Sequence, residues 1–189
     1  MSSAELFTLI QSTAKPAVRE VFDTYYGRLA PMANRYAKSP AQAEDLFNYS
    51  FSGILRNLKR LREHPEDLDR YVEYQFIKGA VEFIKSFKSE YFVASTVYAT
   101  AQKEAKNYNL FENNDIIDFD NLNADLLVRS FQQLVPSQRL VINLHLIEGF
   151  SLEETAEILD SSQATVKSNL EKGRYNLQKN IEKIYKSPA

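Results

Sequence analysis

Side chains able to make or break covalent bonds are scarce in this 189-residue sequence. There is no cysteine, which excludes thiol nucleophiles, thiolate metal sites and disulfides together, and suits a reducing cytosol. Two histidines occur. His145 falls in the apolar run VINLHLI, where an imidazole serves structure far more often than catalysis, and His64 precedes a proline with no identifiable partner. No glycine-rich phosphate loop appears, and no His or carboxylate cluster stands at metal-ligand spacing. The residues therefore predict a protein that is not an enzyme and needs neither cofactor nor metal.

What remains is recognition by charge and hydrogen bonding. The net charge of -2 is unevenly spread: residues 93–160 hold 4 basic and 11 acidic side chains, whereas residues 161–189 hold 6 basic and 2 acidic. Screening confines exposed charge to roughly 10 Å, so this basic island can meet phosphates despite the acidic total. Within it, residues 162–174 read SQATVKSNLEKGR. At helical spacing Val166 and Leu170 turn inward, leaving Gln163, Ala164, Lys167, Ser168, Glu171 and Lys172, then Arg174, as short polar groups and cations suited to base edges and phosphates. Ser162, Thr165 and Asn169 complete the candidate DNA-binding set, and Lys179, Lys183 and Lys186 extend its basic face. The same spacing also describes a helical hairpin with a solvated charged face, so charge alone leaves both readings open.

The elements that must position these residues read as helices throughout. With 5 Gly, 6 Pro and few alternating runs, the fold class expected is all-α, arranged as two small helical domains joined by a linker. A short helix is expected within 4–11 and a longer one over 16–35, whose stripe of Val18, Val21, Phe22, Tyr25, Tyr26 and Leu29 would be core. Ser39-Pro40 opens a third, with serine as cap and proline in the first turn, burying Leu46, Phe47, Phe51, Ile54, Leu55 and Leu58. After Pro65, helical periodicity resumes through Leu68, Val72, Phe76, Ala80 and Phe83. The Asn- and Asp-rich stretch that follows lacks a period and reads as a tether. Four helices then close the chain. Gly149 stands where a helix ends in a left-handed residue, Ser151 and Glu154 form a capping box, and SLEETAEILD, a short turn and ATVKSNLEKGRYNLQK have the layout of a helix-turn-helix. In its supporting helix Leu152, Thr155, Ala156 and Leu159 face inward.

The segment LVPSQRLVINLHLIEGFSLEETAEILDSSQATVKSNLEKGRYNL resembles region 4 of extracytoplasmic-function (ECF) sigma factors. The shared motifs are Leu134 to Arg139, Glu148 to Ala156 and Thr165 to Ser168. Asn169 stands where the family commonly has arginine, Glu171 replaces an aromatic or cation, and Asp160 replaces a turn glycine. A carboxylate repels phosphate yet can accept from a cytosine amino group. The stretch FDTYYGRLAPMANRYAKSPAQAEDLFNYSFSGILRNLKRL looks like region 2, matching at Ala43, Glu44, Asp45, Leu46 and Phe51, with Asn48 and Tyr49 departing from the usual pair.

The resemblance implies that Glu44, Asp45, Leu46, Asn48, Tyr49 and Phe51 bind polymerase. It further implies that Lys78, Lys85 and Lys88 meet phosphates of an opened strand, with Tyr71 or Tyr74 stacking on a base. It divides the chain into a region 2-like domain at 1–92, an acidic linker at 93–122 and a region 4-like domain at 123–189. The expected function is that of an alternative sigma factor, with core RNA polymerase, promoter DNA and an anti-sigma factor as partners. Two alternatives stay open: a sigma-like decoy or adaptor that binds an anti-sigma regulator without promoter activity, and a stand-alone helix-turn-helix regulator. No apolar run approaches the roughly 18 residues a membrane span needs, and the N-terminus lacks a secretory signal, so a cytoplasmic location without membrane insertion is expected.

Overall fold

The computed structural model describes residue 8 and residues 15–57, 68–87 and 123–186. The helix expected at 4–11 (apart from Thr8), Leu58, His64, Lys88 and the acidic tether over 93–122 lie outside the described residues. Among the described residues seven α-helices follow one another: α1 (Lys15–Tyr36), α2 (Pro40–Asn57), α3 (Leu68–Ser86), α4 (Ala124–Gln132), α5 (Pro136–Ile142), α6 (Leu152–Leu159) and α7 (Gln163–Lys186). No strand occurs among the described residues, so the all-α expectation holds.

The helix starts are set by side-chain caps. The Gln42 N–H donates to Ser39 Oγ at 3.2 Å, with Pro40 opening α2. The Asp125 N–H donates to Asn123 Oδ1 at 2.9 Å ahead of α4. Each bond satisfies a donor that the first turn leaves without a carbonyl.

Helices α1 to α3 bury Val21, Tyr25 and Leu29 against Leu46 and Ile54 of α2 and Val72, Phe76 and Ala80 of α3. A Cβ on Gly79 would lie 2.9 Å from Ser50 Cα, so only glycine lets α2 and α3 cross this closely. The stripe expected along α1 is only half core. Val18, Phe22 and Tyr26 are 48%, 37% and 49% exposed, because they occupy the ridge next to the buried one. Phe22 lies 6.0 Å from Phe47 and Tyr26 lies 5.3 Å from it, ring to ring.

One feature was not legible in the periodicity. After Ile142 the helix widens into a π turn, Asn143–Ile147, closed by the Glu148 N–H donating to the Asn143 carbonyl at 2.9 Å. Asn143 is fully buried, and its amide donates both to the Arg139 carbonyl and to the Arg35 carbonyl of α1. The inserted residue re-phases the helix so that Leu144 is buried while Leu146 and Ile147 face outward.

The N-terminal and C-terminal helices share one core, which runs without a break from Val21 to Leu170. Arg139 is its polar centre. Only 1% exposed, it donates through Nε to the Tyr36 carbonyl at 2.7 Å and through Nη1 to the carbonyls of Gln132 and Leu134 at 3.1 and 2.8 Å. Beside it Arg35 pairs with Glu148 at 2.8 Å.

Candidate nucleic-acid interface

Helix α7 is presented by a supporting helix, α6, whose two ends are both pinned. At the start of α6 the Ser151 N–H donates to Glu154 Oε2 at 2.8 Å, and the Glu154 N–H donates to Ser151 Oγ at 3.1 Å. The Ser151 backbone N–H holds the Glu154 carboxyl below its ordinary range, and the Ser151 hydroxyl adds to the effect. At the other end Asp160 sits at φ 51°, ψ 57°, and the Ser161 N–H donates to the Ala156 carbonyl at 2.9 Å. Asp tolerates this left-handed conformation better than most residues, so the turn survives without the glycine usual at that place. Gly149, at φ 79°, makes the earlier left-handed turn, as its position before the capping box suggested.

Helix α7 then starts at a serine cap: the Thr165 N–H donates to Ser162 Oγ at 3.1 Å, and the two hydroxyl oxygens lie 2.9 Å apart. Thr155, Ala156 and Leu159 of α6 close on Val166 and Leu170 of α7, all buried. A Cβ on Gly173 would fall 2.8 Å from Ile142 Cδ1, so α7 lies tightly on α5 there. His145 Nδ1 is 2.7 Å from the Phe150 carbonyl, tying the π turn to the loop that enters α6.

Of the candidate DNA-binding residues, Ser162, Gln163, Ala164, Thr165, Lys167 and Glu171 are exposed, and Ser168, Lys172 and Arg174 are half-exposed on the same helix. Asn169 is equally half-exposed, but its Oδ1 accepts from Ser137 Oγ of α5 at 3.4 Å.

The candidate residues of α3 do not join this surface. Lys85 donates to the Leu159 carbonyl at the end of α6 at 2.8 Å. Lys78 is exposed, with Nζ 5.7 Å from the centre of the Tyr74 ring. Tyr74 in turn lies 6.3 Å from Phe150, ring to ring. These three α3 residues line a cleft of about 530 Å³, closed on its far side by Glu157 and Ile158 of α6. The face expected to hold an opened strand is therefore turned toward α6.

On α2, Glu44, Asp45, Asn48 and Tyr49 are exposed, as a docking surface requires. Leu46 and Phe51 are not: at 0% and 7% exposure they belong to the core, because their spacing places them on the face packed under α1 and α3. Their expected polymerase contact is corrected to a packing role. Glu44 and Asn48 flank a groove of about 410 Å³ with Phe22, Tyr26, Pro40 and Phe47.

Arg35, Arg139 and Asn143 were not among the sequence candidates, although they organise how the two ends of the chain meet. The available signal was an arginine and an asparagine embedded in the apolar run QRLVINL, where a polar group must find a buried partner.

Among the described residues no group of His, Cys, Asp and Glu could hold a metal ion, and no helix is long and apolar enough to cross a membrane. Residues 124–177 match the family described as Sigma-70, region 4. The chain is also similar to CnrH, solved in complex with the cytosolic domain of CnrY, at 16% identity over 97% of each chain with a TM-score of 0.44. No curated protein matches it.

Proposed function

From the premise that residues 124–177 are a sigma-70 region 4, we propose that the chain is an alternative sigma factor of the ECF type that binds core RNA polymerase and directs it to promoters. The observation that carries this reading is the α6-turn-α7 unit, with both ends of α6 capped and a polar, cationic face of α7 open to solvent. In a helix-turn-helix the second helix enters the major groove while cations at its flanks meet the phosphates. The proposal divides the chain into a region 2-like part at 1–92, a tether at 93–122 and a region 4-like part at 123–189. It takes Glu44, Asp45, Asn48 and Tyr49 as the polymerase-facing residues of α2. An anti-sigma protein and a cytoplasmic location complete it.

The test is reconstitution. Purified full-length chain is added to core polymerase on templates enriched by its own binding, and start-site-specific transcripts are measured. Transcripts that depend on the chain support the reading; failure to associate with core polymerase defeats it.

A second reading, an adaptor that holds a regulator without promoter activity, draws on one observation. The Lys85 ammonium is engaged by the end of α6, so the α3 face offers little to DNA in this arrangement. Association with polymerase but no transcript on any template would favour it.

A further inference from the structure

On α7 the core side is marked by Val166, Leu170 and Gly173, all buried. At 3.6 residues per turn, the opposite face carries a line of Ala164, Ser168 and Glu171, spaced four and three apart. Lys167 lies to one side of that line and Lys172 to the other. A small methyl, a small hydroxyl and a carboxylate thus run along the crest, with cations on its shoulders. Asn169, the neighbouring departure from the family pattern, leans toward Ser137 of α5 and is off the crest. The Glu171 carboxylate makes no hydrogen bond or ion pair with any described residue, whereas the Glu154 carboxylate is held in its capping box and that of Glu148 by Arg35.

A helix presented with this crest toward the groove floor sets Lys167 and Lys172 against the phosphate walls and keeps the Glu171 carboxylate away from them. We propose that Glu171 is a specificity residue that reads the exocyclic amino group of a cytosine in the major groove, an inference that rests on α7 being a DNA-reading helix. A carboxylate only accepts hydrogen bonds. On the major-groove edge, guanine offers two acceptors and thymine an acceptor and a methyl, while adenine sets an acceptor beside its amino group; cytosine alone offers a donor without an acceptor on the same base. Glu171 is therefore best matched to cytosine, less well to adenine, whose N7 acceptor stands beside the amino group, and repelled by guanine and thymine.

The experiment is selection of bound duplexes from a randomised pool by the full-length chain, in parallel for the natural protein, Glu171→Gln and Glu171→Ala. The natural chain is expected to enrich cytosine at one fixed position by about tenfold. Glu171→Gln, whose amide both donates and accepts, moves that position toward adenine, and Glu171→Ala flattens it while the other positions keep their preference. Both variants are exposed-surface changes, and unchanged thermal unfolding confirms that they fold. An identical base preference in all three proteins overturns the assignment to Glu171 while leaving α7 as a DNA reader. Absence of any enriched sequence for the natural chain overturns the DNA-reading role of α7 and this inference with it.

Discussion

The Arg139 guanidinium donates to the main-chain carbonyl of Tyr36 at 2.7 Å, across 103 residues of sequence. Tyr36 is the last residue of α1, where carbonyls lack helical partners, and Arg139 lies in the second turn of α5. One buried cation thus closes the end of an N-terminal helix and, through the Gln132 and Leu134 carbonyls, the end of α4 as well.

Arg139→Met keeps the apolar stem of the side chain but orphans three carbonyls. Loss of a buried partner in such an arrangement costs about 3 kcal/mol. Urea unfolding of the variant is expected to show a midpoint lowered accordingly, and small-angle scattering a larger radius. An unchanged radius with normal stability would show that Arg139 does not join the two ends.

Lys85 caps α6 from α3, an arrangement favoured by the negative end of the helix dipole. Lys85→Met is expected to lower stability by about 1 kcal/mol or less while loosening the contact between the helices. Because the chain has no cysteine, single labels at exposed Glu82 and Glu157 can report their separation by pulsed electron spin resonance. A broadened distance distribution in the variant is expected; an unaltered one counts against the capping role.

Gly79→Ala gains helix propensity yet drives a methyl onto the Ser50 backbone. Overpacking against main chain costs about 2 kcal/mol, more than the propensity returns. Thermal unfolding should therefore show a net loss, whereas the same change at Gly27, which has nothing within 4 Å, should not.

Burial pushes the Tyr36 phenol well above its ordinary pKa of 10, and the Glu148 carboxylate adds to the effect. A raised acid is stabilised as the neutral form, so its contribution is full below about pH 10 and fades as pH rises further. The Tyr36 hydroxyl also has no hydrogen-bond partner among the described residues. Tyr36→Phe is accordingly expected to raise stability by about 1 kcal/mol at neutral pH and to weaken the alkaline loss. Unfolding curves from pH 7 to 11 measure both effects.

The Glu154 carboxyl titrates in the opposite sense. Held below its ordinary value of 4.5 by the Ser151 N–H, it supports the α6 cap above that value, and the support disappears as pH falls through the lowered folded-state pKa. The Ser151 amide resonance should follow this titration with a midpoint below 4.5, and in Glu154→Gln the dependence should vanish.

Local grammar made much of the molecule legible in advance. Ser39 before Pro40, Gly149 before the Ser151–Glu154 box and Val166 with Leu170 opposite Ala156 each depend on residues within a few positions of one another. Caps and turns close through bonds of three or four residues, so the chain declares them directly. The α1 stripe shows where this stops: spacing alone could not tell the buried ridge of Val21 and Tyr25 from the exposed one of Phe22 and Tyr26, because that depends on which neighbours arrive and from what angle. Leu46 and Phe51 lie in the buried stripe that their spacing marks, and packing takes the place of the polymerase contact that the resemblance implied for them.

The sequence by itself determined the helix-turn-helix: the capping box that opens α6, the glycine turn before it and the order of polar side chains along α7. Only the tertiary structure decided that Arg139 meets Tyr36, that Arg35 meets Glu148 and that Lys85 ends on Leu159 rather than in solvent. These bonds join residues 74 to 113 positions apart, and their partners are mostly main-chain carbonyls that every residue carries. No side-chain pattern can announce such an acceptor; it is selected only when packing of the shared core brings a helix end within reach of a cation.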